Sequence, residues 1–312
     1  MQRVNLAFIA PQEDPQRWLP GLRAALPAAR FHLWPEIPDP AAIEVALVAK
    51  PPAGALGAFP ALKLVQSLWM GVDGLLADPS LPRGVPLARL VDPGMVAAMG
   101  ETVLARVLDW HRHLYRYRAQ QRRRVWQPLP QRLAAERTVG LLGLGELGRS
   151  VAQRLLELDF RLCGWSRRQK EIDRIECFSG PDGLDSLLAK CGALVCLLPL
   201  TDHTRGILNA RSLALLPRGS CVINVARGAH LVEADLVAAL DAGQLAHAYL
   251  DVFETEPLPA SHPFWRHPGV SLTPHIGALT DPRTALPVVI RNLERVQRGE
   301  PPEALVDAAA GY

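Results

Sequence analysis

A glycine-rich loop constrains the fold of this chain more than any other segment. Residues 143–148, Gly-Leu-Gly-Glu-Leu-Gly, fit the pattern Gly-x-Gly-x-x-Gly. A strand-like apolar run ends at Leu142, and an amphipathic helical pattern covers Arg149 to Leu158. Such glycines permit a tight turn and a close approach of the backbone to a pyrophosphate, whose charge the helix N-terminus favours. The loop therefore predicts a dinucleotide site in a βαβ unit.

Strand and helix patterns continue to alternate after this loop. We predict strands over residues 138–142, 161–165, 194–198, 221–224, 248–252 and 270–272. A helix is predicted near residues 184–189, with further helices between the later strands. Repeated βα units with apolar strands are typical of a parallel, doubly wound sheet.

The first ninety or so residues form a separate, smaller α/β pattern that lacks a Gly-x-Gly-x-x-Gly loop. We predict strands over residues 4–9, 31–34, 45–48 and 64–68, and a helix over residues 18–26. A long helix, from about Met95 to Tyr117, follows the break at residues 92–94 and is interpreted as a bridge between domains. The last predicted helix covers Arg283 to Gly299. We expect a substrate domain from residues 1–94 with 284–312, and a dinucleotide-binding domain from residues 95–283.

The composition is that of a globular chain, because 49% of its 312 residues are hydrophobic. The formal net charge is +3, which is too small to indicate a nucleic acid or a membrane as a partner. No segment is long and apolar enough to span a bilayer, and the first apolar run is too short for a signal peptide. The five cysteines form no Cys-x-x-Cys pair, so we expect reduced core thiols and a cytoplasmic location.

One basic, turn-rich stretch leaves two interpretations open. Residues 122–130 read Arg-Arg-Arg-Val-Trp-Gln-Pro-Leu-Pro, and Arg with Trp can bind the phosphates and bases of a nucleic acid. The alternative is a solvated arm or an arm that contacts another subunit. We favour the arm, because the stretch is short and the overall charge is balanced.

The residues after the second strand of the dinucleotide domain indicate the choice of cofactor. An acidic residue normally binds the adenosine ribose hydroxyls of NAD at this position, whereas this chain has Ser166, Arg167 and Arg168. Guanidinium groups can bind a 2′-phosphate, and no carboxylate is present there to repel it. We therefore expect NADPH to be preferred, with NADH still possible. The alternative is that both arginines are simply exposed loop charges.

Three residues further along the chain suit the reduction of a 2-oxo acid by hydride. Arg227, Glu256 and His275 supply a guanidinium, a carboxylate and an imidazole downstream of the glycine loop. The reaction requires a cation for the substrate carboxylate, polarisation of the carbonyl, and a proton for the new alkoxide. No metal is needed in this scheme. His111 and His113 lie two positions apart in the predicted helix and face different sides, so we expect no metal site there.

Five ordered motifs resemble those of the D-isomer-specific 2-hydroxyacid dehydrogenases, most closely the glyoxylate/hydroxypyruvate reductase A group. They are Val-Gly-Leu-Leu-Gly-Leu-Gly at 139–145, Leu-Leu-Pro-Leu-Thr at 197–201, Ile-Asn-Val-Ala-Arg-Gly at 223–228, Leu-Asp-Val-Phe-Glu-Thr-Glu-Pro-Leu-Pro at 250–259, and Thr-Pro-His-Ile at 273–276. The resemblance covers essentially the whole chain. It implies an α/β fold of two doubly wound parallel-sheet domains: a Rossmann-type cofactor domain and a smaller, flavodoxin-like substrate domain.

The resemblance also implies a role for each catalytic candidate. Arg227 would hold the substrate carboxylate and carbonyl oxygen, and His275 would protonate that oxygen as the hydride arrives. Glu256 would orient the imidazole and favour its protonated form. Glu254 is a nearby competitor for the role of Glu256.

Two sets of contact residues follow from the same resemblance. The cofactor-binding candidates are Gly143, Gly145, Glu146, Leu147, Gly148, Ser166, Arg167, Arg168, Leu198, Pro199, Val225, Ala226, Asp251 and Gly277, with Asp251 near the nicotinamide carboxamide. The substrate-binding candidates are Met70, Gly71 and Val72, whose loop resembles one that binds the carboxylate through backbone amides, together with Arg227 and His275.

The substrate loop departs from the family pattern. Relatives have small residues where this chain has Trp69 and Met70. These side chains either narrow the pocket, which favours glyoxylate or hydroxypyruvate, or point away from it.

We therefore expect an enzyme, an NAD(P)-dependent 2-hydroxyacid dehydrogenase that uses NADPH to reduce glyoxylate to glycolate and hydroxypyruvate to D-glycerate. Two alternatives stay open: reduction of a larger 2-oxo acid on the same scaffold, and a non-catalytic NAD(P)-sensing interaction protein. The resemblance further implies a homodimer.

Overall fold

The computed structural model describes residues 4–312, so residues 1–3 of the expected substrate domain lie outside the described part. The chain divides into two compact units. The first comprises the residues up to Met95 together with Thr280–Tyr312, and the second comprises Val96–Leu279. The return to the first unit thus falls at position 280, whereas the sequence predicted position 284. One reason is that the Thr280 hydroxyl donates to the Leu68 carbonyl at 3.1 Å, within the first unit.

The elements are numbered in chain order over residues 4–312. The strands are β1 Asn5–Ile9, β2 Arg30–Leu33, β3 Val45–Val48, β4 Leu64–Ser67, β5 Leu87–Ala88, β6 Thr138–Leu142, β7 Arg161–Trp165, β8 Ile175–Phe178, β9 Ala193–Cys196, β10 Ser220–Asn224, β11 Leu245–Leu250 and β12 Val270–Leu272. The α-helices are α1 Pro15–Ala25, α2 Asp73–Leu76, α3 Pro93–His111, α4 Leu114–Arg123, α5 Glu146–Leu156, α6 Gly180–Leu188, α7 Ala210–Leu215, α8 Glu233–Asp241 and α9 Pro282–Gln297.

The first unit is built on a parallel sheet with the strand order β2-β1-β3-β4-β5. This is the flavodoxin-like order that the resemblance implied. All residues of β3 and β4 are buried, as expected of central parallel strands that are covered on both faces. The two-residue strand β5 was not predicted.

Helix α9 belongs to this first unit, although it is far in sequence from the residues up to Met95 that form most of the unit. Asn292 is fully buried, and its Nδ2 donates to the Gln66 Oε1 on β4 at 2.8 Å. The Asn292 Oδ1 accepts from the Glu303 amide at 2.7 Å. These two bonds connect α9, β4 and the C-terminal segment in one buried polar network.

The second unit is built on a parallel sheet with the strand order β12-β11-β10-β9-β6-β7-β8. Counted from β6, this is the doubly wound Rossmann order 3-2-1-4-5-6 with one further strand at the edge. The expected class of two doubly wound parallel-sheet domains is thereby confirmed. Strand β8 was not predicted, since the polar Glu176 interrupts the short apolar run of residues 175–178.

Two apolar clusters line this second sheet, and adjacent strand residues contribute to different clusters. On β6, Leu142 belongs to one cluster and Leu141 to the other. On β9, Cys196 and Val195 divide in the same way. Because successive strand side chains point to opposite faces, each face of the sheet has its own core.

The long helix predicted over Met95 to Tyr117 is two helices. α3 ends at His111, and α4 begins at Leu114 after His113 adopts a left-handed φ of 57°. Met95, Met99, Val103 and Val107, which repeat every four residues along α3, are buried, whereas Leu114 of α4 is 46% exposed. A periodic pattern that continues past a left-handed residue does not continue on the same face, and this explains the error.

The cysteine side chains of the second unit are free thiols. Four of them are buried and Cys177 is partly buried. Burial raises the pKa of the Cys196 thiol to about 12, so this thiol stays protonated at neutral pH. Among residues 4–312, no helix combines the length and apolar character needed to cross a membrane.

The buried network of α9 generates a stability prediction. We expect Asn292→Ala to lower the free energy of unfolding by about 2–3 kcal/mol, because Gln66 and Glu303 lose buried partners. Urea-induced unfolding measures the change. Arg291→Ala on the same helix is the control; it removes an exposed ion pair with Glu303 and should cost less than about 0.5 kcal/mol. Equal losses for the two variants would contradict the assigned role of the network.

Candidate active site

The candidate residues of the second unit collect at one edge of its sheet. They follow the carboxyl ends of five strands: Gly143 after β6, Ser166–Arg168 after β7, Leu198 and Pro199 after β9, Val225–Arg227 after β10, and Asp251 and Glu256 after β11. His275 and Gly277 follow β12 at the same edge. Parallel strands place these ends together, and ligands of doubly wound sheets bind there.

The glycine loop has the backbone geometry that a dinucleotide requires. Gly143 adopts a φ of 105°, a conformation that favours glycine. A Cβ on Gly148 would lie 2.0 Å from the Gly143 carbonyl oxygen, whereas a Cβ on Gly145 would meet nothing within 4 Å. Gly145 caps α5, which begins at Glu146, three residues earlier than predicted. The loop therefore leaves open space at Gly145 beside a helix N-terminus, a suitable cradle for a pyrophosphate.

The loop after β7 carries the predicted adenosine contacts. Ser166 is buried, and its hydroxyl donates to the Arg168 carbonyl at 2.8 Å. The side chains of Arg167 and Arg168 are exposed. Lys170, which sequence reasoning missed, donates from Nζ to the Leu144 carbonyl at 2.8 Å. Lys170 is thus a third cation near this loop, after Arg167 and Arg168, and it is hydrogen-bonded to the glycine loop. The signal for it in the sequence was the basic run from 167 to 170.

His275 and Glu256 form the central pair of the site. The His275 Nδ1 lies 2.8 Å from the Glu256 Oε2. The other carboxylate oxygen accepts from the Phe253 amide at 2.9 Å, so both oxygens are occupied. Since a carboxylate can only accept, Nδ1 is the donor and Nε2 is left to serve a substrate. Glu256, rather than Glu254, is thus the carboxylate that contacts His275, and its role in the reaction stays a prediction.

Asp251 holds the loop that carries His275. Its carboxylate is buried and accepts from the Thr273 hydroxyl at 2.6 Å, the Ile276 amide at 3.0 Å and the Gly277 amide at 2.8 Å. The carbonyl of Asp251 accepts from the His275 amide at 2.8 Å. These bonds fix His275 in a left-handed φ of 52°, which is uncommon for residues other than glycine. The predicted contact of Asp251 with the nicotinamide carboxamide stays a prediction.

Arg227 lies in the neighbouring loop and is half-buried. Its Nη1 donates to the Ala226 carbonyl at 2.8 Å, and its own carbonyl accepts from the Asn224 side chain at 2.9 Å. A Cβ on the next residue, Gly228, would lie 1.9 Å from the carbonyl carbon of Phe253. The loop of Arg227 therefore packs directly against the start of the loop that carries Glu256.

His230 is a further residue that sequence reasoning missed. It is fully buried, and its Nδ1 and Nε2 each lie 3.2 Å from a carbonyl, those of Arg227 and Pro199 respectively. The Thr204 hydroxyl also donates to the Pro199 carbonyl, at 2.7 Å. The imidazole thus connects the loop after β10 with the loop after β9. No sequence signal separated this histidine from an ordinary core histidine.

The predicted substrate loop lies in the first unit, directly after β4. The Trp69 carbonyl accepts from the Ser67 hydroxyl at 2.8 Å and from the Leu90 amide at 3.0 Å. Within residues 4–312, the amides of residues 70–72 donate no backbone hydrogen bond. Successive unpaired amides on an anchored loop suit an anionic ligand such as a carboxylate.

The second unit places an imidazole paired with a carboxylate, a guanidinium and a glycine loop at one sheet edge. An imidazole held by a carboxylate can deliver a proton, and a guanidinium can bind a carboxylate and polarise a carbonyl. Among residues 4–312, no group of three or more His, Cys, Asp or Glu side chains is arranged to hold a metal ion.

Comparison with known proteins identifies the family. Residues 104–277 match the model of the D-isomer specific 2-hydroxyacid dehydrogenase NAD-binding domain. The chain is also 43% identical over 314 aligned residues to glyoxylate/hydroxypyruvate reductase A of Yersinia enterocolitica, covering 99% of this chain and all of the relative. The chain belongs to the D-isomer-specific 2-hydroxyacid dehydrogenases.

Solved structures agree with this assignment. A D-isomer specific 2-hydroxyacid dehydrogenase from Xanthobacter autotrophicus, in complex with NADPH and MES, aligns with a TM-score of 0.95 and 42% identity over 99% of both chains. An NADPH-dependent glyoxylate/hydroxypyruvate reductase from Sinorhizobium meliloti, in complex with NADP and sulfate, aligns with a TM-score of 0.93 and 37% identity over 99% of this chain and all of the other.

The two glycines at the start of α5 generate a paired prediction. We expect Gly148→Ala to destabilise the protein by about 1–3 kcal/mol, because its Cβ collides with the loop backbone. Gly145→Ala has room in the protein and should leave stability unchanged. Both variants should bind NADPH at least about tenfold more weakly, a loss of about 1.4 kcal/mol, since a methyl at 145 obstructs the pyrophosphate. Fluorescence titration with NADPH and thermal unfolding measure the two effects; unchanged affinity in Gly145→Ala would contradict the assigned cradle.

Proposed function

We propose that this protein is an NADPH-dependent reductase of small 2-oxo acids, which converts glyoxylate to glycolate and hydroxypyruvate to D-glycerate. The 2.8 Å pair of His275 and Glu256, beside the loop of Arg227, is the observation that carries the proposal. It supplies a positioned proton donor at the sheet edge that also carries the dinucleotide cradle.

The choice of NADPH over NADH is supported by the positive charge after β7 and by the cofactors bound in solved relatives. Arg167 and Arg168 expose two guanidinium groups at the position where an acidic residue would select NAD. Solved relatives with 42% and 37% identity contain NADPH and NADP. We therefore expect NADPH to be preferred over NADH.

The proposed mechanism gives each of the three residues a defined role. When bound, NADPH supplies the hydride that attacks the carbonyl carbon. Arg227 binds the substrate carboxylate and polarises the carbonyl oxygen. His275 transfers the proton on Nε2 to that oxygen as the new C–H bond forms, and Glu256 stabilises the ring orientation that this transfer requires.

The choice of small acids is supported by the relatives and by the substrate loop. The curated relatives from Yersinia enterocolitica and Serratia proteamaculans, each 43% identical, are named glyoxylate/hydroxypyruvate reductase A. The loop of residues 70–72 is preceded by the bulky Trp69, a side chain of a size that can narrow the site against a long substituent. We place the reaction in the cytoplasm, in keeping with the free cysteine thiols.

We further propose that the protein is a homodimer. The segment after α4 exposes Trp126 to 98%, Leu133 to 73% and Val125 to 44%. The Leu129 amide binds the Tyr117 hydroxyl at 2.9 Å, which attaches this segment to α4. An ordered apolar segment of this kind suits a subunit contact better than a solvated arm.

Steady-state kinetics test the proposed activity. The wild type should oxidise NADPH with glyoxylate and hydroxypyruvate, with a higher kcat/KM than with NADH or with larger 2-oxo acids. A preference for a larger acid would replace the substrate assignment. Dinucleotide binding without turnover of any acid in the panel would favour the NAD(P)-sensing alternative.

Variants of the central pair test the mechanism. We expect His275→Ala to lower kcat by about 10²–10⁴-fold, the usual contribution of a general acid, and Glu256→Gln to lower it by at least about tenfold. The matched control is Glu233→Gln, since Glu233 forms a similar pair with His262 at 3.0 Å outside the proposed machinery. Undiminished kcat in His275→Ala would exclude this histidine as the proton donor.

Light scattering after size-exclusion chromatography tests the homodimer. The wild type should elute with twice the chain mass of 34.1 kDa, and Trp126→Ser should shift the equilibrium toward the monomer. Leu158→Ser, at an exposed apolar position outside this segment, is the control. A monomeric wild type would contradict the proposal.

A further inference from the structure

One carboxylate in the first unit binds two indole groups. The Trp69 Nε1 donates to the Glu13 Oε1 at 2.9 Å, and the Trp18 Nε1 donates to the Glu13 Oε2 at 3.1 Å. Trp18 is fully buried in α1, whereas Glu13 and Trp69 are half-buried. Glu13 therefore connects a core tryptophan with the tryptophan that precedes the substrate loop.

The fold gives this connection a defined position. Glu13 lies in the loop after β1, where its amide donates to the Ala10 carbonyl at 3.0 Å, and Trp69 follows β4. Strand β3 lies between β1 and β4 in the sheet. The contact from Trp69 to Glu13 therefore crosses the carboxyl end of β3, at the sheet edge where ligands of such folds bind.

Trp69 is held both at its main chain and at its indole ring. Its amide donates to the Ser67 hydroxyl at 3.1 Å, and its carbonyl accepts from Ser67 and Leu90. The indole nitrogen is held by Glu13. A tryptophan fixed at the main chain and at the ring has little freedom to rotate, so it acts as a rigid wall rather than a mobile side chain.

We propose that Glu13 is a positioning residue for substrate size. By fixing the indole of Trp69, the residue that directly precedes the amides of residues 70–72, Glu13 restricts the substrate to 2-oxo acids whose substituent on the carbonyl carbon is no larger than a hydroxymethyl group. This role rests on the proposed reductase function. Of the two interpretations of Trp69, a ring that narrows the pocket and a ring that points away from it, the proposal adopts the first, because the ring is held at the carboxyl-end edge of the sheet.

The type of residue at position 13 suits this task. A carboxylate accepts at both oxygens at once, whereas the amide of a glutamine offers one acceptor oxygen. Glu13 can therefore bind Trp18 and Trp69 together, and Glu13→Gln can hold only one of them well. Glu13→Ala holds neither and releases the Trp69 ring.

Kinetics with a series of acids test the proposal. We expect Glu13→Ala to lower the ratio of kcat/KM for glyoxylate to kcat/KM for phenylpyruvate by at least about tenfold, a typical value for a change of fit in an apolar pocket. The change should lie mainly in the KM for phenylpyruvate, with kcat for glyoxylate kept within about threefold. Glu13→Gln should give an intermediate ratio. Glu44→Ala is the control, because Glu44 is a carboxylate of the same unit that pairs with Lys63.

A double-mutant cycle shows whether Glu13 acts through Trp69. In a Trp69→Ala background, Glu13→Ala should change the ratio of kcat/KM for glyoxylate to kcat/KM for phenylpyruvate by less than about twofold, since the indole that Glu13 positions is already absent. An undiminished effect in that background would overturn the proposal.

Nuclear magnetic resonance provides a readout that does not depend on activity. With ¹⁵N-labelled tryptophan, the indole N–H of Trp69, assigned with Trp69→Phe, should be protected from hydrogen exchange in the wild type and lose that protection in Glu13→Ala. Preserved dispersion of the remaining signals shows that the variant is folded.

The possible failures are distinct. A wild type that reduces no 2-oxo acid overturns the proposed function and this role with it. A wild type that is active and selective, with unchanged selectivity or unchanged Trp69 exchange in Glu13→Ala, overturns only the role of Glu13.

Discussion

The buried carboxylate of Asp251 is the interaction on which the arrangement of the site depends. It accepts one hydroxyl and two amide donors from the loop after β12, and its carbonyl binds the His275 amide. This set of bonds stabilises the left-handed backbone at His275 and so directs the imidazole toward Glu256. A buried charge is tolerated only when it is well hydrogen-bonded, and here the compensating donors belong to the loop that must be ordered. Stability and the geometry of the site thus depend on the same atoms.

Other loops at this sheet edge are also held by their neighbours, through close contacts between their backbones. Gly228 lies against the backbone of Phe253, and the Phe253 amide binds Glu256. His230 connects the carbonyls of Arg227 and Pro199. The side chains proposed for chemistry are therefore held by neighbours that have no chemical task. In the first unit, Glu13 stands in the same relation to Trp69.

Much of this could be predicted from the sequence, since it depends on local patterns. The strand at Arg161–Trp165 was predicted with its observed bounds, and the fold class and the family are confirmed. The pairing of His275 with Glu256 rather than Glu254 was expected from motif position, and the 2.8 Å contact agrees with it. The break at His113 was missed, because a left-handed residue leaves no mark on hydrophobic periodicity. Glu13 and His230 were missed because each binds one partner that is distant in sequence, Trp69 and Pro199 respectively, so only the tertiary structure distinguishes them from ordinary polar residues. Lys170 lies in a basic run that the sequence showed, but its bond to the Leu144 carbonyl is visible only in the structure.

The position of α9 has a consequence for the order in which the chain acquires its structure. Residues 96–279 of the second unit form one uninterrupted segment, whereas the first unit combines two segments that lie on either side of it. The first unit cannot be completed until α9 is present, because Gln66 is hydrogen-bonded to Asn292, 226 positions away in sequence. Contacts of such long separation form late. The second unit is therefore one uninterrupted segment between the two parts of the first unit, and the first unit is complete only when Asn292 meets Gln66 across that segment.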